Sequence, residues 1–343
     1  MACSKQIMLS PKWLNGWMVG WFNILTILFW SCSDSPTQNY QANIQSLQSN
    51  LTMAPFAIIG DTQQTSLVES LFLLRESNDI EQEILLTHLF QTDIQFLVHL
   101  GDMVFMGSSR EDWEWFDNMF QPLIQQKIPI LPVMGNHEYY GYNPAALENI
   151  FSRFPKLKDS LWYSHIHQNL GLIFIDTNQE EYSEAKWEEQ IKWYENTIEK
   201  MDANPAIRAI LVFAHHPPFT NSTIIDDTLH VKDNFVTATF YDSKKTIAFF
   251  SGHAHGYERF EDKNKTFIIS GGGGGPRVEI FKGEAARRQD IFTGPSLRPL
   301  NYLRVYSEPN YIKIEVVGLY KGETGVQTIE EIELPFPLKD ESP

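Results

Sequence analysis

The chain has 343 residues, 43% hydrophobic and 20% charged, enough for one large core or two smaller ones. Its 43 Asp and Glu outweigh 27 Lys and Arg, a formal net charge of −16. That balance argues against a nucleic-acid backbone or an anionic membrane surface as the main partner, and it suits a site that neutralises its acidic groups with cations.

The N-terminus reads as an export signal. Lys5 and Lys12 precede an uncharged run over 13–33 that closes on Leu28-Phe29-Trp30-Ser31-Cys32-Ser33. A basic start, an apolar middle and a small residue at the end form such a signal. A small residue followed by Cys resembles a bacterial lipoprotein processing site, which makes 1–32 the signal and Cys32 the lipidated first residue of a periplasmic or cell-surface protein. The run is also just long enough to cross a bilayer as an uncleaved anchor. Either way the protein is exported and tethered. The two cysteines, Cys3 and Cys32, form no metal-type or redox pair and imply no disulfide framework. Residues 33–54, rich in Ser, Gln and Asn, read as a polar spacer.

From there strands and helices alternate. A first strand over 56–59 ends in Gly60-Asp61, and helical spacing of apolar residues follows over 79–90. A second strand over 95–100 ends in Gly101-Asp102. A Trp-rich acidic helix covers about 110–120. The apolar run from Ile128, bounded by prolines, reads as a buried strand that delivers Gly135-Asn136-His137-Glu138. A helix over 144–154 begins at its Pro. A hairpin over 161–175 turns at Gln168-Asn169 and ends in Asp176. The clearest helix is 184–201, with Trp187, Ile191, Tyr194, Ile198 and Met201 on one face and Pro205 as its stop. A strand over 208–213 leads to His215-His216-Pro217. Residues 220–236 have no clean period and read as a loop with a short helix. A strand over 245–250 leads to Gly252-His253-Ala254-His255. The remainder, with β-like runs at 266–270, 302–307, 311–317 and 326–334, is mostly strand. No internal repeat or linker divides 55–334, so this reads as one domain with a tail at 335–343. The pattern suits a large mixed sheet system with helices outside.

Five strand ends thus carry polar termini: Asp61, Asp102, Asn136-His137, His215-His216 and His253-x-His255. Ends of buried strands cluster at one rim. Carboxylate, amide and imidazole ligands without thiolate suit Mn, Fe, Zn or Mg. The set is large enough for two ions sharing a bridge, the usual device for in-line phosphoryl hydrolysis.

In order, Gly-Asp, Gly-Asp, Gly-Asn-His-Glu, His-x-Pro and Gly-His-x-His resemble the calcineurin-like metallophosphoesterase superfamily. The continuation Gly252-His-Ala-His-Gly-Tyr-Glu-Arg259 is most similar to the purple acid phosphatase branch. The resemblance implies an α/β fold: a four-layer α-β-β-α sandwich of two mixed sheets flanked by helices, with the metal site at strand ends. It implies that Asp61 and His255 hold a first metal, that Asp102 bridges, and that Asn136, His215 and His253 hold a second. His137 would face the substrate, and a metal-bridging hydroxide would be the nucleophile. The cofactors implied are two divalent or mixed-valence ions, Fe, Mn or Zn, with Mg also open. The implied activity is hydrolysis of a small phosphoester, as an acid-phosphatase-like monoesterase. The alternatives are a phosphodiesterase or nucleotide or lipid-headgroup hydrolase, and a non-catalytic metal- or partner-binding lipoprotein.

Two positions depart from the family pattern. Purple enzymes carry Tyr three residues after the bridging Asp, where this chain has Phe105. Other branches carry His two residues after the first Asp, where it has Gln63, a weak neutral ligand or a neighbour of the ligands. His216 reads as a group orienting a ligand, and His99 as a hydrogen-bonded core histidine. Glu138, Tyr257, Glu258 and Arg259 read as buttresses. The run Gly271–Gly275 either passes close to the metals or cradles a phosphate oxygen.

Overall fold

A computed structural model describes residues 38–41, 54–66, 70 and 74–338. The expected export signal and Cys32 processing site lie outside these residues.

Two six-stranded sheets face each other. The first has the order β12-β11-β10-β1-β2-β3 and the second β4-β5-β6-β7-β9-β8. In the first, β1 (Phe56–Ile59), β2 (Leu97–His99) and β3 (Ile130–Pro132) are parallel, and β10 (Leu300–Ser307), β11 (Tyr311–Leu319) and β12 (Gln327–Pro335) add antiparallel. In the second, β5 (Leu170–Phe174), β6 (Ala209–Phe213), β7 (Thr246–Ser251) and β9 (Lys265–Ser270) are parallel. The flanks β4 (Tyr163–His167) and β8 (Tyr257–Asp262) are antiparallel to their neighbours.

Side chains alternate across each strand, which assigns every strand two cores. Phe56, Ile58, Val98 and Leu131 meet Leu172, Phe174, Leu211 and Phe250 between the sheets. Ala57, Ile59, Leu97 and Ile130 point the other way, onto α1 (Asp79–Phe90), α2 (Arg110–Gln126) and α3 (Asn143–Arg153) through Leu85, Phe116, Phe120 and Ile150. Ile173, Ile210, Val212 and Phe249 cover Trp187, Tyr194 and Ile198 of α4 (Glu184–Ala203). Strands buried on both faces read as continuous apolar runs, as these do. The four layers are those the family resemblance implies.

Most elements fall where the sequence places them, and the departures have local causes. Helix α2 runs past the expected end at 120 to Gln126 with Pro122 inside, because Phe120 and Leu123 are both fully buried by it. Strand β8 is not expected: Arg259, Glu261 and Asp262 make its sequence look like loop, but it is an edge strand in which Glu261 is exposed, Arg259 pairs with Glu330 and Asp262 accepts from Tyr241. Residues 220–236 contain a single helical turn, Leu229–Val231, that runs on as a π-helix, Lys232–Phe240. Its hydrogen bonds skip five residues, so apolar positions there follow no 3.6 period. The spacer expected over 33–54 includes Tyr40 and Gln41, which are instead buried. Tyr40 donates to Asp117 at 3.1 Å and stacks on Phe154 at 5.5 Å, and Ile130 N–H donates to its carbonyl. At the other end, Pro335 closes β12 and Phe336 is buried, so the tail begins later than 335.

His167 sits between the sheets, 3% exposed, its ring edge-on to Phe96 at 5.0 Å, and its Nδ1 has no partner. Burial, reinforced by His165, pushes its pKa down to about 4. The folded state therefore keeps it neutral while the unfolded chain takes up a proton below about pH 6.5. Stability falls as pH drops through that window. His167→Leu should flatten the fall by up to about 1.4 kcal/mol per pH unit between pH 6 and 4. Urea unfolding at pH 7, 6, 5 and 4 measures it, and parallel profiles for variant and wild type would refute it.

Candidate metal centre

Parallel strands put their C-terminal ends at one edge, so Asp61, Asp102 and Asn136 leave the first sheet together and Asp176, His215 and His253 leave the second. The two edges are joined directly. His215 Nδ1–H donates to Leu100 O at 2.8 Å, across the gap between sheets.

Three of the strand ends, after β1, β2 and β7, turn sharply. Asp61, Asp102, His253 and His255 have φ of 59°, 54°, 67° and 40°, the left-handed region that L side chains avoid. Such residues cost of order 1–3 kcal/mol each and persist where the surroundings over-determine them. Here the surroundings are backbone pairings: Asp61 N–H donates to Gly101 O at 3.0 Å and Gly275 N–H to Asp61 O at 2.9 Å. The motif glycines have a related cause. A Cβ at Gly135 would lie 2.2 Å from Asp102 Oδ1, and one at Gly252 would lie 2.4 Å from Asp61 Oδ2.

Two donor clusters result. Asp61, Asp102 and His255 form one, and His215, His216 and His253 the other, with the offered atoms of each within 4.8 Å of one another. His215 Nε2 stands 3.0 Å from Asn136 Oδ1, 3.1 Å from His253 Nδ1 and 3.4 Å from Asp102 Oδ2. Burial opposes ionisation of Asp102, but His215 and then His137 hold its carboxyl well below the usual range. Burial likewise pushes His215 down, and Asp102 overcomes it, raising the imidazole to about 10. Burial dominates at Asp61, whose carboxyl is raised although both oxygens accept His253 N–H at 2.9 and 3.0 Å. Burial pushes His253 down to about 3 and His255 to about 4. His253 and His255 are thus neutral imidazoles and Asp102 an ionised carboxylate, as a divalent cation requires of its ligands, while His215 and Asp61 would release protons as a cation bound.

The other expected residues fall into place around these. His137 Nδ1–H donates to Phe105 O at 2.6 Å, and its Nε2 lies 3.9 Å from Asp102 Oδ2. Phe105 thus supplies a backbone acceptor. Glu138 is fully buried and accepts N–H groups of Gly135, Asp102 and Met103 at 2.7, 2.8 and 2.8 Å. Gln63 lies beside the first cluster, its side-chain amide 3.1 Å from His255 Nε2. His216 pairs through Nδ1 with Thr177 Oγ1 at 2.8 Å and joins the second cluster. His99 pairs with Thr62 Oγ1 at 3.0 Å in the core. Glu258 accepts from Thr220 and Asn221, and Tyr257 and Arg259 both bond Glu330. The glycine run passes against the donors: Gly275 would touch His255 with any Cβ. Its N–H groups at Gly271, Gly273 and Gly275 are taken by Gly256, Gly60 and Asp61 carbonyls, so they do not cradle a phosphate.

Three neighbours escaped the sequence reading. Tyr140 accepts from Asn136 Nδ2 at 2.7 Å. Thr177 holds His216. Asp176, buried, accepts from Tyr139 and Tyr182 at 2.5 and 2.7 Å, while Asn178 Nδ2 reaches Met134 O at 3.2 Å. Asp176 had the same signal as Asp61 and Asp102, a carboxylate closing a buried strand.

Acid phosphatase type 7 of Mus musculus is 28% identical over 183 residues, 48% of this chain and 40% of that protein. A probable cyclic nucleotide phosphodiesterase of Rhodopseudomonas palustris is 21% identical over 205 residues, 58% of this chain and 71% of that protein. The chain thus spans well under half of the mouse relative's length. The solved structure of purple acid phosphatase PPD1 from yellow lupin (Lupinus luteus) seeds superposes with a TM-score of 0.64 at 14% identity, over 83% of this chain and 54% of that one. The profile described as "Calcineurin-like phosphoesterase" matches residues 54–257, more than half of the chain, and its span contains every donor of both clusters. The chain belongs to the calcineurin-like phosphoesterase family.

Proposed function

We propose that the protein is a binuclear metal-dependent phosphoester hydrolase acting on phosphomonoesters. The observation that carries this reading is the pair of donor clusters meeting at Asp102, with His137 Nε2 beside both. Asp61, Asp102 and His255 would hold one ion. Asp102, Asn136, His215 and His253 would hold the other, with His216 available to it. When bound, divalent ions supply Lewis acidity toward phosphoryl oxygens and lower the pKa of water.

The protein's own contribution is placement and a proton. In hydrolysis a water oxygen bonds to phosphorus as the ester P–O bond breaks in line, and the departing oxygen needs a proton. His137 is built to give it. Its Nδ1–H is committed to Phe105 O, which leaves Nε2 as the end that faces the donors and can carry a second, transferable proton. Asp61, Asp102, His215 and His255 are buried, while Asn136, His137 and His253 stay partly exposed, so substrate would reach the donors from their side. His137→Ala should keep both metals and lose about 10²-fold or more in kcat. Metal content with steady-state rates checks this, and unchanged turnover would remove His137 from the reaction.

The ester class rests on the relatives. The mouse relative is an acid phosphatase, while the bacterial one, matched over more of its length, is a probable cyclic nucleotide phosphodiesterase. With Mn²⁺ bound, a chromogenic aryl monoester should be cleaved at least tenfold faster than the matching diester. The reverse order establishes the diester reading, and inertness toward both favours a non-catalytic binding role.

The same reading places the domain outside the cytoplasm on a lipid tether, from the Lys5, Lys12 and Cys32 pattern. Mass spectrometry of the membrane-bound protein should find a lipidated N-terminal Cys32, lost in Cys32→Ala. A peptide continuing through Trp30-Ser31-Cys32 without lipid would establish an uncleaved anchor.

A further inference from the structure

Asn136 would be a neutral ligand, and a carboxamide has two ends. Its Oδ1 faces His215 Nε2 at 3.0 Å, and its Nδ2 donates to the Tyr140 hydroxyl at 2.7 Å. The terminal torsion of Asn is broad and roughly two-fold, so rotation readily exchanges oxygen for NH₂. An NH₂ end aimed at the donor cluster would offer a cation no lone pair.

Tyr140 is itself held from two sides. The 3-10 turn His137–Tyr139 closes with Tyr140 N–H donating to His137 O at 3.1 Å, and Ser108 N–H from the β2 loop donates to Tyr140 O at 3.0 Å. The Tyr140 ring centroid lies 4.3 Å from that of His137. One side chain therefore touches both the amide and the imidazole that follow Gly135. The residue is 42% exposed, so its place is not explained by core packing.

We propose that Tyr140 is a positioning residue: its hydroxyl keeps the Asn136 carboxamide with Oδ1 toward the second donor cluster, and its ring limits the swing of the His137 imidazole. This rests on the binuclear reading above.

The test is calorimetric titration of the metal-stripped full chain with Mn²⁺, alongside Tyr140→Phe, Asn136→Ala and the double variant. Wild type should bind two equivalents. Tyr140→Phe, which keeps the ring and loses the hydroxyl, should weaken one equivalent about tenfold and leave the other unchanged. In the Asn136→Ala background the Tyr140→Phe change should have no further effect, because the amide it acts through is gone. Two equivalents bound by Tyr140→Phe with wild-type affinities, or full additivity in the double variant, would overturn the proposal alone. A wild-type chain that takes up fewer than two equivalents would overturn the binuclear reading and this proposal with it.

Discussion

The carboxylate of Glu138 accepts three backbone N–H groups, from Gly135, Asp102 and Met103, in a region with no exposure to water. An isolated carboxylate would be costly there, and the three donors offset that cost. In doing so they tie the loop after β2 to the loop after β3. Asp102 and Asn136 owe their relative placement to this one side chain. His137 follows from it too, since its N–H donates to Asp102 Oδ1 at 3.0 Å. Burial, followed by the charge of Asp102, raises Glu138 to about 7. The loops that carry the donors are therefore held by a group under electrostatic load.

That load extends through the site. Asp61, Asp102 and Glu138 are all buried, with His215 drawn up by Asp102 and Asp61 as the local counter-charge. Four of the donor residues are also held at positive φ. Left-handed backbone and crowded carboxylates are both unfavourable, and a fold retains them only where its hydrogen-bond framework leaves no alternative. The framework here is short: Asp61 to Gly101, Gly275 to Asp61, Gly252 to His215, and His215 to Leu100. Each link joins a different strand end to the next. Gly135 and Gly252 follow from the same crowding, because carboxylate oxygens of the neighbouring end occupy the volume a Cβ would need, and at Gly101 the backbone of Gly135 does.

These features explain what could be read from sequence and what could not. Strands such as Leu170–Phe174 and Ala209–Phe213 are buried on both faces and so announce themselves as apolar runs. The polar residue that ends each one then marks the rim. His99 is legible as core because the apolar run continues past it to Leu100 before the polar Gly101-Asp102. The hidden parts are those whose cause is tertiary. Edge strand β8 carries charges whose partners, Glu330 and Tyr241, lie far off in the chain, and the π-helix over 232–240 breaks the period on which helix recognition depends. Tyr40 is an isolated aromatic in a polar stretch, and only its fit against Phe116 and Phe154 gives it a role. Tyr140 and Thr177 have no pattern at all. Their function is to bond one side chain of the donor set, and a partner chosen by proximity in space leaves no spacing in sequence.

In the proposed reaction the adjacent pair Asn136-His137 separates binding from chemistry. Asn136 turns its oxygen into the donor cluster and anchors its nitrogen on Tyr140. His137, next in the chain, has its Nδ1 bound to the Phe105 carbonyl, with Nε2 at 3.9 Å from Asp102 Oδ2. A histidine recruited only as a ligand would stand at ligand distance from the other donors, as His215 does. A backbone carbonyl fixes Nδ1 in both, but His137 Nε2 stands off at 3.9 Å, close to the donors and outside both clusters, where it would meet something that arrives there. A protein that merely stored cations would have no use for such a group, whereas a hydrolase needs a proton at that position for the oxygen that leaves.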